Sequence, residues 1–327
     1  MKNSIKNISI ILPFHVVDSY LNEAIKSCLD SKGCKFELNL VDTRPEYEAN
    51  TKILNILDDR VKIYRLPNAD YISALKFGLH VSSAKIIGLM NSDDLVSERR
   101  FAKQIAKLND TNTNICLSNI KKFRSNKNIE MPSLLGEIKC STYSTLFLLI
   151  GSYGANATWV FQKSWAIKNK VFSHELDKSD WHVAIRVFPN SKISYENSKL
   201  YFYRMHKNQR SKNKNIKKKE LIKLLINLNN KFDLPKISFK DIEILAGIAR
   251  PNFKIINHYN YHQILIWLDC YLDLINKTLQ VDHNIYNLLQ RRRLLLALCS
   301  KNFRLINVAT LVKLIREVLK SNRSVRW

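Results

Sequence analysis

Residues 8–120 alternate short apolar runs with helix-spaced segments, and this alternation restricts the fold more than any other feature. ISIILP (8–13), FELNLVD (36–42), VKIYRL (61–66), AKIIGLM (84–90) and NICLSNI (114–120) read as strands. Between them, residues 18–29 carry Leu21, Ala24, Ile25 and Cys28 at helical spacing. A segment ending near Leu57, residues 71–81 and residues 97–108 read as further helices. Strand–helix alternation at this spacing makes a mainly parallel sheet with helices on both faces. Ligands of such open sheets sit at the carboxyl ends of the strands. Pro13, Asp42 and the Asp93-Asp94 pair all fall at such ends.

The fourth run, IIGLMNSDDL, stops abruptly in Asn91, Ser92, Asp93 and Asp94. Adjacent carboxylates at the mouth of a buried strand repel each other and are costly to desolvate. Two readings fit. A divalent cation would neutralise them and bridge to a substrate's phosphates. Alternatively the turn is solvated, and Asp94 or Ser97 caps a helix running through Gln104. The placement at a strand's carboxyl end favours the metal.

The chain has 327 residues, enough for one large or two ordinary domains. Only 7 glycines are present, with neither a Gly-x-Gly-x-x-Gly nor a Walker-type loop. The six cysteines form no Cys-x-x-Cys pair and no zinc-spaced cluster, and read as free, buried thiols of a reducing cytoplasm. The N-terminus has no small-residue cleavage site, and no run of about 18 apolar residues predicts a membrane span.

The net charge is +25 and unevenly spread. Residues 207–327 hold 24 Lys+Arg against 8 Asp+Glu, net +16. Such a field attracts nucleic acid, anionic lipid or a phosphorylated substrate. After the basic stretch SKNKNIKKKE only helical patterns follow, at 219–230, 239–249, 259–279, 284–299 and 302–320. Two domains are therefore expected, an α/β domain over 1–211 and a basic, all-α C-terminal domain over 212–327. Core packing is the commoner use of such apolar helical stripes, with membrane docking as the alternative.

Taken in order, four segments resemble the family-2 glycosyltransferases, the inverting GT-A enzymes that use nucleotide sugars. ISIILPFHVVDSYLNEAIKSCLDSKGCKFELNLVD is similar to that family's opening strand, loop, helix and second strand. ISALKFGLHVSSAKIIGLMNSDDL resembles its helix, strand and acidic metal motif. DKSDWHVAIRV looks like its catalytic helix, and YRMHKNQRS like its closing Tyr-Arg-x-His segment. The likeness covers residues 5–211 and implies a Rossmann-like mixed sheet of GT-A type. It differs in four places: Thr43 follows Asp42 where a second Asp is usual, Asn91 stands for an Asp, Ser179 for a Glu, and Lys76 for an Asn.

The resemblance implies a metal-dependent transferase that moves a sugar from a nucleotide-sugar donor to a hydroxyl of a glycan or lipid-linked glycan, in lipopolysaccharide, capsule or other surface polysaccharide assembly. Asp94, supported by Asp93, would bind Mn2+ or Mg2+ and so neutralise the leaving diphosphate. Pro13, Asp42, Lys76, Ser92 and Asp93 would line the donor site; Arg204 and His206 would join them by reaching the diphosphate, or else order a loop, with a solvated strand end as an equal alternative. Asp180 would be the general base, with Asp177 and Glu175 as substitutes; its alternative role is a helix cap. Arg186 reads equally as an ion-pair partner or a site residue. GSYGANATW (151–159) is the candidate acceptor-side loop. The expected location is cytoplasmic, peripheral on the inner membrane face. Two rivals are a nucleic-acid binder using the basic half, disfavoured because no aromatic-basic interleaving accompanies it, and a degenerate transferase acting as a scaffold.

Overall fold

The computed structural model describes residues 7–46, 56–124, 127–129, 156–173, 183, 187 and 191–206. All of them belong to one of the two compact units into which the chain divides. The helix expected to end near Leu57 and the whole region 212–327 lie outside the described residues.

Strands β1 (Ile8–Phe14) and β2 (Phe36–Asp42) are buried at every position. Burial on both faces is why β1 reads as a nearly continuous apolar run, whereas β2 alternates and buries Glu37 and Asn39 with it. They pair in parallel from Ile8↔Phe36 to Phe14↔Asp42. On one side β3 (Val61–Arg65) extends the parallel ladder to Asp42↔Arg65. On the other, β4 (Ile86–Leu89) pairs with β1 up to Ile11↔Leu89. The carboxyl ends of all four strands thus share one edge of the sheet.

Helix α1 (Ser19–Leu29) is capped by Asp18, which accepts a hydrogen bond from the Leu21 amide at 3.0 Å. It buries Leu21, Ala24, Ile25 and Cys28, the face expected from their spacing. Helix α2 (Tyr71–Val81) is capped in the same way by Asp70, which accepts from the Ser73 amide.

Beyond β4 the sheet departs from the expected parallel pattern. A short β5 (Leu95–Val96) follows the acidic turn, then α3 (Arg100–Asp110), β6 (Ile115–Arg124), β7 (Lys127–Ile129), a 3-10 turn (Asn156–Thr158), β8 (Val160–Gln162), α4 (Lys163–Lys168) and β9 (Ile193–Arg204). The strand order is β3-β2-β1-β4-β8-β6-β9-β5, with β7 beside β6. β8 is antiparallel to both β4 and β6, β6 runs parallel to β9, and β5 is antiparallel to β9. The sheet is therefore mixed. Helix α3 begins at Arg100, and no side chain caps it. Neither Asp94 nor Ser97 caps the helix through its side chain.

Gly78 brings α2 against β1. A Cβ built at Gly78 would lie 2.4 Å from Ile11 Cγ2. Gly78→Ala should therefore destabilise the protein, because overpacking costs roughly 1–3 kcal/mol and the gain in helix propensity offsets only about 1 kcal/mol. A lower melting temperature is the expected result. An unchanged melting temperature would show that this helix–strand approach has slack.

Candidate active site

The chain leaves β4 through buried Met90 and turns over residues 91–94 at the shared strand edge. Asp94 folds inward and has no exposed surface. Its Oδ2 accepts from the Tyr201 hydroxyl at 2.6 Å and from Asn91 Nδ2 at 3.0 Å. Its Oδ1 accepts from the Arg204 amide at 2.8 Å. Burial pushes the Asp94 carboxyl up to about 7, reinforced by the charge of Asp93 and opposed by those hydrogen bonds. Asp94, expected as the principal metal ligand, forms the floor of the turn, with three donors on its oxygens.

Asn91 now has a physical explanation. Its amide group donates to Asp94, while its Oδ1 accepts from the Tyr71 hydroxyl at 3.1 Å. An aspartate there would place a third carboxylate against a buried one. The asparagine supplies a donor where the charge is most costly.

Asp93 faces the other way. Its side chain is 33% exposed, and Oδ2 lies 3.0 Å from Nε2 of His206, which is 17% exposed. This is the open pair of the turn. Arg204 secures it from behind: its Nε donates to the Asp93 carbonyl at 2.8 Å and its Nη2 to Glu23 at 2.6 Å. The guanidinium lies 4.5 Å from the Tyr20 ring centre and 4.7 Å from that of Phe123. Arg204 is buried, so its geometry is that of a brace between α1, β6 and the acidic turn, not of a group extended towards a diphosphate.

Asp42 ends β2 on the same edge, and two arginines seal it. Its Oδ1 accepts from the Arg44 amide and Nε, both at 3.0 Å. Its Oδ2 accepts from Arg44 Nη2 at 2.8 Å and Arg65 Nη1 at 2.7 Å. Burial alone would raise the Asp42 carboxyl, but these donors hold it below the usual carboxylate range. Thr43 turns its hydroxyl to the Phe14 carbonyl at 3.0 Å.

The other expected site residues are spread along this edge and its flanks. Pro13 is buried in β1 opposite Val41, Ser92 is half-buried in the acidic turn, and Lys76 is exposed on α2. Of the acceptor-side loop, residues 156–159 are described and buried. Asp180, Asp177, Glu175 and Arg186 lie outside the described residues. Sequence reasoning missed Tyr201, Tyr71, Tyr20, Glu23, Arg44 and Arg65. Glu23 sits one turn from the Asp18 cap on α1, and the two arginines follow Asp42 closely in sequence or register, but none carries a motif of its own.

Comparison with known proteins agrees with this geometry. The family model described as "Glycosyl transferase family 2" matches residues 9–173, just over half of the chain. An uncharacterized glycosyltransferase of Haemophilus influenzae is 34% identical over 101 residues, spanning 30% of this chain and 40% of that protein. The O-antigen biosynthesis glycosyltransferase WbnJ of Escherichia coli is 25% identical over 207 residues, 61% of this chain and 80% of its own. The crystal structure of S. aureus TarS 1–349 in complex with UDP-GlcNAc superposes with a TM-score of 0.57 at 15% identity, covering 98% of this chain and 93% of that one. The mixed sheet is thus GT-A-like, and the chain belongs to glycosyl transferase family 2.

Proposed function

We propose that this chain transfers a sugar, with inversion, from a nucleotide-sugar donor to a hydroxyl of a glycan or lipid-linked glycan during surface polysaccharide assembly. The observation that carries the reading is the open Asp93–His206 pair beside the sealed Asp94 at the carboxyl ends of β1 to β4. The UDP-GlcNAc complex of TarS and the O-antigen role in WbnJ's name support a nucleotide-sugar donor and a polysaccharide product.

The open pair suits a divalent cation. Among the described residues no three His, Cys, Asp or Glu side chains converge. The Asp93 carboxylate would suit Mn2+ or Mg2+, and the His206 imidazole would favour Mn2+ of the two. Asp93 and His206 would hold it, with Asp94 placing the turn rather than ligating. When bound, such a cation stabilises the charge that develops on the departing diphosphate. Arg204 and Glu23 keep Asp93 aimed outward, and Asn91 and Tyr201 keep Asp94 inward. Asp180, on the acceptor side, would take the proton from the attacking hydroxyl.

The test is a panel of nucleotide sugars, screened for hydrolysis with Mn2+ and then for transfer to added acceptors. Turnover of at least one donor is expected, and none from any donor would reject the reading. A salt-sensitive gel shift with nucleic acid would favour the rival binder.

Among the described residues no helix is long and apolar enough to cross a membrane. We infer that the basic region 207–327, net +16, docks on an anionic cytoplasmic surface where a lipid-linked acceptor is presented. Each Lys or Arg near such a surface is worth about 1 kcal/mol, falling off within a Debye length of roughly 8–10 Å. The full chain should sediment with anionic vesicles at low salt and be released at high salt. Equal sedimentation with neutral vesicles, or none with either, would reject the docking.

A further inference from the structure

Arg100, the first residue of α3, has no exposed surface. Among the described residues no carboxylate pairs with it. Its Nε donates to Gln104 Oε1 at 3.0 Å and its Nη2 to the Ala157 carbonyl at 2.6 Å. Nη1 is buried without a hydrogen-bond partner among the described residues. The guanidinium lies 4.9 Å from the ring centre of Tyr201, whose hydroxyl is bound to Asp94. Gln104, one turn on, donates through Nε2 to the Thr158 and Cys116 carbonyls, both at 2.9 Å.

A cation buried this way is costly, since several kcal/mol of desolvation are offset only by carbonyls and ring faces. The cost is visible in Arg100 itself, whose burial pulls its pKa down to about 10. A side chain needed only to fill this volume would be apolar. What the guanidinium does that an apolar group cannot is grip two things at once. On one side it holds the Ala157 carbonyl, near the end of the candidate acceptor loop, beside the Thr158 carbonyl held by Gln104. On the other it lies on the tyrosine that fixes the acidic turn.

We propose that Arg100 is a positioning residue that couples the acceptor-side segment 156–159 to the Asp93–Asp94 turn, so that the two walls of the site keep one separation. The proposal rests on the transferase reading for its purpose, but its geometry can be tested without turnover.

Arg100→Met preserves length and apolar bulk, and Arg100→Lys keeps the charge without the fork. Three quantities are read on the full chain: amide exchange by mass spectrometry, Mn2+ affinity by paramagnetic resonance titration, and thermal melting. In Arg100→Met, exchange should rise in peptides covering 156–162 and 91–96 while β1 and β2 keep their protection. Mn2+ affinity should fall by up to about ten-fold, less than for a lost outer-shell partner because Arg100 acts on Asp93 only through Tyr201 and Asp94. Arg100→Lys should give the same pattern at smaller amplitude, and it serves alone if the Met variant does not fold. Unchanged Mn2+ affinity, or exchange rising uniformly across the sheet, would overturn the proposal and leave Arg100 a packing residue. Failure of the wild type to turn over any nucleotide sugar would count against the transferase reading, while these three readouts would still decide the coupling.

Discussion

Asp93→Asn should lower turnover by about 10³-fold and leave the melting temperature nearly unchanged. The change is near-isosteric, and the side chain is one-third exposed, where substitutions usually alter stability by less than about 0.5 kcal/mol. What it removes is the charge that, with His206, would hold a cation on the donor's diphosphate; such stabilisation is worth several kcal/mol, and about 4 kcal/mol corresponds to 10³. Asp94→Asn separates the two carboxylates. Three donors converge on Asp94, and an amide nitrogen would be set against at least one of them inside the protein. A buried mismatch of this kind costs roughly 1–3 kcal/mol, so Asp94→Asn should lose stability and turnover together. Steady-state rates beside urea melts distinguish the cases. If Asp93→Asn keeps most of its activity and the same Mn2+ response, the open pair is not the diphosphate anchor.

The division of labour between these neighbours marks where sequence reading ran out. The apolar run before them and its abrupt end were legible because β4 is buried on both faces and its end must meet solvent or ligand. Which of two adjacent aspartates turns inward was not legible. That choice is made by Tyr201 and the Arg204 amide, more than a hundred residues away on β9, which β5 brings into register through Val96↔Tyr201. The antiparallel β8 was missed for a related reason. Three residues that pair with β4 and β6 have no period to detect, and their strand character comes from the neighbours. Arg44 illustrates a local blind spot. Nothing in the string DTRP says that the arginine folds back to grip the aspartate two residues before it. By contrast, the α1 stripe was legible, because helical spacing acts over a few residues.

Asp180→Asn should reduce kcat by about 10²–10⁴-fold, with donor affinity changed little. The residue lies outside the described residues, so this expectation rests on the DKSDWHVAIRV segment and on what the chemistry requires. An acceptor hydroxyl is a weak nucleophile near neutral pH and needs a carboxylate to receive its proton as the new bond forms. Neither carboxylate of the acidic turn suits that task. Asp94 is buried beneath the turn, and Asp93 is paired with His206. Asp42 is saturated by Arg44 and Arg65. The base must therefore come from elsewhere, and Asp180 is the position where the family resemblance puts a carboxylate. The Asn variant keeps the size and much of the capping ability of Asp, so loss of the base can be read apart from loss of a helix start. The measurement is single-turnover transfer beside equilibrium binding of the donor nucleotide. A collapse of donor affinity would make Asp180 a binding or structural residue. In that case Asp177→Asn and Glu175→Gln should be tested next, and the variant that loses kcat alone would identify the base.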